Sequence, residues 1–260
     1  MELTNATRKI IKSLADAKNR REHGLFVAEG TKCVLDTVGA YRPEAVFATK
    51  KWIAEHGDKC GEQPVTEATL ADMERMTQLT TAPQVIAVYR LPEPPGLPTD
   101  ITAGLTVALD RVQDPGNLGT IIRVCDWMGV RNILASNDTV DVYNPKVVQA
   151  TMGSIGRVSI HYTDLAKTLK ELAEKGVPVY GTLLDESAQN IYTAKLPQKA
   201  VLVMGNEGRG ISDSVKEVLT DKLFIPPYPA DSQTAESLNV AVATAIALAE
   251  FRGRIYKSGV

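Results

Sequence analysis

From Leu105 onward, short apolar runs and helical patterns alternate strictly along the chain, and this limits the possible folds more than any other feature. Strand candidates occupy 105–110, 132–135, 158–161, 179–184, 200–204 and 222–225. Helical patterns fall between and after them at 118–128, 145–150, 164–175, 212–219 and 238–252. Such alternation builds βαβ units on a mostly parallel sheet. Ligands of these sheets bind beyond the carboxyl ends of the strands, so the loops there are where chemistry is to be sought.

Upstream, Pro92, Pro94, Pro95 and Pro98 place four prolines in seven residues, which excludes helix and favours an extended spacer. The expected division is a domain at 1–91, a linker at 92–98 and a second domain at 99–260. The first reads as a small α/β domain, with a basic helix at about 5–20 and a second helix opening near Thr31. A third helix is expected at 51–56, and strands at 25–28, 45–49 and 84–89. A chain of 260 residues accommodates two domains of ordinary size. With 44% hydrophobic and 23% charged residues, disordered and fibrous classes are excluded.

The net charge is -2, so any basic surface must be local. It is concentrated near the start: Arg8, Lys9, Lys12, Lys18, Arg20 and Arg21 accompany one acidic residue, Asp16. A solvated helix face and a phosphate-contacting face both fit this pattern. Cys33, Cys60 and Cys125 form no CxxC pair and have no histidine at a metal-ligand spacing, which points to a reducing compartment and no metal site. The first residues carry no apolar signal segment, and the longest nearly apolar run, 238–249, falls short of the ~20 residues that cross a bilayer. A cytoplasmic protein without membrane association is expected.

Three segments beyond strand candidates are unusual. The first, Asp110-Arg111-Val112-Gln113-Asp114-Pro115-Gly116-Asn117-Leu118-Gly119, contains a Pro-Gly turn and offers Asn117 as an N-cap. Arg123 follows in a helix made largely apolar by Ile121, Ile122, Cys125 and Met128; embedded there it needs a partner, and a phosphate would suit it. The second, Gly205-Asn206-Glu207-Gly208-Arg209-Gly210, spaces its glycines G-x-x-G-x-G. That is neither the dinucleotide fingerprint nor a P-loop, so nicotinamide and nucleoside-triphosphate chemistry lose their support. Three glycines still mean a tight turn or a backbone on which a ligand lies close, with the Glu207 carboxylate in its middle.

The third segment runs from Ile225 through Pro226, Pro227 and Pro229 to Glu236-Ser237-Leu238-Asn239 and then a helix. Ala241, Ala245 and Ala249 form one stripe of that helix and Val242 and Ile246 another, so burial is expected nearly all round. Ser237 suits its N-cap, and Asn239 reads as an amide inside an apolar helix that must find partners.

Taken together, these segments resemble the SpoU-type branch of the SPOUT, or α/β-knot, RNA ribose 2′-O-methyltransferases. The resemblance spans Leu105 to about Arg252. It rests on Asp114-Pro115-Gly116-Asn117-Leu118-Gly119 with Arg123, on Tyr143-Asn144-Pro145-Lys146-Val147-Val148, on Met204-Gly205-Asn206-Glu207-Gly208, and on Ile225-Pro226 with Ser237-Leu238-Asn239. The stretch from Arg20 to Gly30 resembles the family's accessory substrate-binding domain, which is similar to a ribosomal-protein RNA-binding fold. The segment between Ile225 and Ser237 departs from the family pattern, being longer and without glycine.

The resemblance implies S-adenosylmethionine as methyl donor, a ribose 2′-hydroxyl of RNA as acceptor, a deep trefoil knot and a homodimer. It implies cofactor contacts at Thr182, Leu183, Leu184, Gly205, Asn206, Gly208, Ile225 and Leu238, and a catalytic group of Asn117, Arg123, Glu207, Ser237 and Asn239. Ribosomal RNA is favoured over transfer RNA by the accessory domain. Methyl transfer from a sulfonium to an alcohol needs in-line positioning and help with the hydroxyl proton. None of the three segments contains a histidine, and a guanidinium is a poor base. Arg123 is therefore expected to clamp phosphate and stabilise developing alkoxide charge. The rival from another class is an RNA-binding assembly factor without turnover, which would have no need of all five catalytic residues.

Overall fold

The computed structural model describes residues 1–61, 63–97, 101, 103–185, 187–229 and 235–257. Pro98, at the end of the expected linker, and Gln233-Thr234, in the lengthened third segment, lie outside them. Contacts divide the chain into two units: Met1–Glu93 with Asp141–Arg157, and Pro94–Val140 with the residues from Val158 on.

The first unit opens with α1 (Asn5–Ser13) and α2 (Ala17–His23), followed by β1 (Leu25–Glu29), α3 (Thr31–Thr37), β2 (Pro43–Ala48) and α4 (Lys50–His56). It continues with β3 (Val65–Glu67), α5 (Leu70–Met76) and β4 (Val85–Arg90). The sheet order is β1-β4-β2-β3, with β4 antiparallel to β1 and β2, and β3 parallel to β2. Ile11, Leu14, Phe47, Met73, Met76 and Ile86 pack as one core.

The single helix expected at 5–20 is two. Arg20 Nη1 donates to the carbonyls of Leu14 and Ala15, both at 2.9 Å, while Asp16 caps α2 by accepting from Lys18 N at 2.6 Å. The carbonyls left over at the end of α1 thus find a side-chain partner, which lets the chain turn there. β3 and α5 were not anticipated, although Thr69 and Asp72 form a capping box at the start of α5.

The second unit contributes β5 (Leu105–Leu109), α6 (Pro115–Trp127) and β6 (Asn132–Ser136), after which α7 (Pro145–Thr151) falls in the first unit. The chain continues with β7 (Ser159–Thr163), α8 (Leu165–Glu174), β8 (Val179–Thr182), β9 (Gln189–Asn190) and β10 (Ala200–Met204). It ends with α9 (Asp213–Lys216), β11 (Asp221–Phe224) and α10 (Val240–Lys257). The expected 99–260 domain is therefore interrupted. Tyr143 sets its ring 4.7 Å from Phe26, Tyr41 donates to the Ile155 carbonyl at 3.0 Å, and a Cβ on Gly156 would lie 2.6 Å from Ala40 Cβ. These contacts hold 141–157 in the first unit, a long-range preference that local patterning does not carry.

The seven strands of the second sheet run in the order β7-β6-β5-β10-β8-β11-β9, and every pairing is parallel. β5 and β10 are buried along their whole length, as continuous apolar runs in the middle of a covered parallel sheet require. The order in which strands are added reverses at this pair, β5 to β7 extending to one side and β8 to β11 lying on the other, the kind of point where open α/β sheets bind ligands.

Candidate active site

Leu109 lies opposite Met204 at the ends of β5 and β10, so the loops leaving these strands start side by side. In the first loop Asp114, not Asn117, caps α6: its Oδ1 accepts from Asn117 N at 2.8 Å, with Pro115 as the first helical residue. The helix begins earlier than expected, which frees the Asn117 side chain. Its Nδ2 donates to Glu207 Oε1 at 2.6 Å, and its Oδ1 accepts from Asn239 Nδ2 at 2.9 Å.

Asn239 is not inside α10 but precedes it. Its Oδ1 accepts from the backbone of Ala241 at 2.9 Å and Val242 at 3.3 Å, so Asn239 takes the capping role expected of Ser237. Three polar side chains from three distant segments are thereby joined end to end. The polarity is set from both ends: backbone N–H groups fix Asn239 Oδ1 as an acceptor, and the Glu207 carboxylate can only accept from Asn117 Nδ2.

The glycine loop is pinched shut by reciprocal backbone bonds, Asn206 N to Gly210 O at 3.0 Å and Gly210 N to Asn206 O at 2.8 Å. A Cβ on Gly205 would lie 2.4 Å from both Gly210 C and Ile211 N, so only glycine fits. Asn206 Oδ1 accepts from Gly208 N and Arg209 N, both at 3.0 Å, and its Nδ2 donates to Arg111 O at 2.8 Å.

Beside this loop is a cavity of about 450 Å³, within the range of small-molecule sites. Thr182, Leu183 and Leu184 at the end of β8, Gly205, Asn206 and Gly208 in the glycine loop, Ile225 after β11 and Leu238 before α10 all line it. So do Glu207 and Ser237. Met204, Phe224 and Ala243 also line it and were not anticipated, since in sequence they read as ordinary strand and helix core. Apolar side chains suited to a flat ring, an exposed backbone at the glycines and the carboxylate of Glu236 fit an adenosine-bearing cation such as S-adenosylmethionine.

Arg123 is not brought into this cluster. It lies six positions after Asn117, which turns the two side chains about 120° apart on the helix. Instead of being embedded it is exposed, on the face of α6 that also carries Trp127, which is 87% exposed. α10 is likewise not buried all round: Val242 is 50% exposed. No histidine lines the cavity. Burial pushes the Cys33 thiol up to about 11 and raises Cys125 further, which makes both poor nucleophiles. Among the described residues no group of three or more His, Cys, Asp or Glu could hold a metal ion, and no helix is long and apolar enough to cross a membrane.

In the first unit the basic stretch is divided. Lys9, Lys18 and Arg21 are exposed, and Arg8 pairs with Asp72 at 2.9 Å. Lys12 is exposed but donates to the Thr77 carbonyl at 2.5 Å. Arg20, expected on the RNA-facing surface, is only 2% exposed; besides the α1 carbonyls it binds Asp141 Oδ2 through Nη2 at 2.6 Å and Nε at 3.1 Å. Arg8, Lys9 and Lys12 line a recess of about 510 Å³ together with Arg75 of α5, a cation the sequence reading missed because it assigned no element there.

An all-parallel sheet with a glycine-loop cavity at the ends of β8, β10 and β11 is the architecture of an α/β-knot methyltransferase. Residues 104–249 match the model of the SpoU rRNA Methylase family, and the chain belongs to that family. Residues 5–87 match the MRM3-like substrate binding domain. The chain is 36% identical over 180 residues to the Bacillus subtilis 23S rRNA (guanosine(2553)-2′-O)-methyltransferase RlmP, an alignment covering 68% of each. Its fold is similar to that of a Porphyromonas gingivalis protein assigned to the TrmH family of RNA methyltransferases, with TM-score 0.86 and 38% identity over 98% of this chain and 100% of the other. An AdoMet-bound rRNA methyltransferase from Sinorhizobium meliloti superposes with TM-score 0.82 at 29% identity, covering 98% and 97% of the two chains.

Proposed function

We propose that this chain transfers a methyl group from S-adenosylmethionine to a ribose 2′-hydroxyl of ribosomal RNA. The observation that carries the reading is the Glu207–Asn117–Asn239 chain, whose carboxylate belongs to the same cavity that the eight expected cofactor contacts line. The cofactor, when bound, supplies the methyl group on a sulfonium. Glu207 and Asn117 then offer a fixed acceptor and a polarised amide to orient the incoming hydroxyl for in-line attack. Ser237 adds a hydroxyl at the cavity wall. Proton loss goes to the RNA phosphate or to water.

The site works in a homodimer on this reading, formed through the face of α6 and α10 that carries Trp127 and Val242. A second copy seated there would bury the exposed indole and would bring Arg123 into an interface, where it clamps phosphate. The first unit, with Lys9, Lys12, Lys18, Arg21 and Arg75, grips the RNA. The enzyme acts in the cytoplasm, in keeping with its three free, buried cysteines.

The deciding experiment maps 2′-O-methylation in total RNA with and without the gene, then repeats the reaction in vitro with wild type and Arg123→Ala. One ribosomal position losing its methyl group, restored by wild type and not by the variant, is expected. No lost modification and no methyl incorporation would overturn the reading in favour of a silent RNA-binding factor.

A further inference from the structure

Arg111 has φ +59°, a left-handed backbone that glycine adopts without penalty and an arginine does not. Its conformation is held from both sides, by Ser136 Oγ accepting from Arg111 N at 2.8 Å and by Asn206 Nδ2 donating to Arg111 O at 2.8 Å. Asp110 Oδ1 forms an ion pair with Arg111 Nε at 3.6 Å but is too far for a hydrogen bond, and Oδ2 is taken by Ser212 N at 2.5 Å. Nε itself is buried and makes no hydrogen bond among the described residues.

The same Asn206 that holds Arg111 O through its Nδ2 holds Arg209 N through its Oδ1, at 3.0 Å. One amide therefore fixes the backbones of two arginines next to the Asn117–Glu207 pair, and the Arg209 side chain is exposed. Neither arginine lines the cofactor cavity, so the anion they await comes from outside it. We propose that Arg111 and Arg209 form a two-pronged clamp on the RNA phosphates flanking the target ribose. The inference rests on the RNA-methyltransferase reading above. A forked guanidinium is the side chain best matched to a phosphate, and the rigid tether through Asn206 would set the register of the strand relative to Glu207.

Arg111→Gly removes one prong while relaxing the backbone, and Arg209→Ala removes the other, an exposed side chain, while keeping the backbone that Asn206 holds. Filter binding to an unmodified Bacillus subtilis 23S rRNA transcript across a salt series, with calorimetric titration of S-adenosylmethionine, reads the outcome. Each variant is expected to bind RNA more weakly, with the slope of log affinity against log salt shallower by about 0.7, the double variant by about twice that, and cofactor affinity unchanged. Unchanged slopes in variants that still fold would overturn the clamp. So would a fall in S-adenosylmethionine affinity with the RNA slope intact, which would assign the arginines to the cofactor. Wild type that binds no RNA would overturn the underlying reading and the clamp with it, whereas wild-type binding and methylation with unaltered variants would overturn the clamp alone.

Discussion

Asn117 Nδ2 lies 2.6 Å from Glu207 Oε1 across 90 residues of sequence, and this bond joins the loop after β5 to the loop after β10. It exists because Asp114 takes the capping duty at α6, leaving Asn117 without local work. A charged acceptor makes the bond stronger than an amide–amide contact.

Glu207→Gln should therefore loosen the Asn117 end of the chain, since a neutral amide oxygen is a weaker acceptor than a carboxylate for Asn117 Nδ2. Turnover is expected to fall on the order of 10²-fold, measured as methyl incorporation at saturating RNA. Calorimetric affinity for S-adenosylmethionine should fall far less than turnover, because the cavity keeps its shape and the Glu236 carboxylate still lines it. Full turnover in the variant would remove Glu207 from the chemistry.

Arg20 and Arg21 are neighbours with opposite expected behaviour. Arg20→Ala strips partners from two carbonyls and from Asp141, and breaking so buried an ion pair costs about 3 kcal/mol. The half-exposed Asp141 softens that figure toward about 2 kcal/mol. Denaturant unfolding should register the loss. Arg21→Ala should leave the midpoint unmoved and instead make the salt dependence of RNA binding shallower. Equal midpoints for the two variants would contradict the assignment.

These contrasts mark what could be read from the sequence. The strand-end loops were legible because an alternating α/β pattern fixes which ends carry loops, whereas the eight expected cofactor contacts were implied by the family resemblance and not by that pattern. Caps were not: Asp114 and Asn117 are both good N-caps three residues apart, and nothing local chooses between them. Nor could Arg20 be told from Arg21, because its deciding partners are the end of α1 and Asp141, 121 residues away. Arg123 was misjudged for a related reason. Apolar neighbours made its helix look enclosed, yet its own face of α6 is open in a single copy.

Trp127, at 87% exposure, offers a direct test of dimerisation through that face. Light scattering should report a dimer for wild type and a monomer for Trp127→Glu, since burying a carboxylate in an apolar contact without a partner is strongly unfavourable. If Arg123 works at the interface, the monomeric variant should also lose turnover while still binding S-adenosylmethionine. A dimeric Trp127→Glu protein would move the interface elsewhere.

Glu29 gives the first unit a pH signature. Its side chain accepts from Gln78 N at 3.0 and 3.3 Å and from the Thr77 hydroxyl, yet burial outweighs these bonds and raises its carboxyl above the ordinary value. With the folded pKa above the unfolded one, protonation favours the folded state. The contribution is fully present below the unfolded value of about 4.3 and is lost as pH rises through the raised folded value. Glu29→Gln, which keeps an acceptor for Gln78 N and cannot ionise, should cancel this loss. The variant's advantage over wild type should be smallest in acid and grow as pH rises past the raised pKa, then stay constant. Thermal melts of both proteins from pH 4 upward would measure it; a difference between them that is flat across that range would mean that Glu29 does not titrate abnormally in the folded protein.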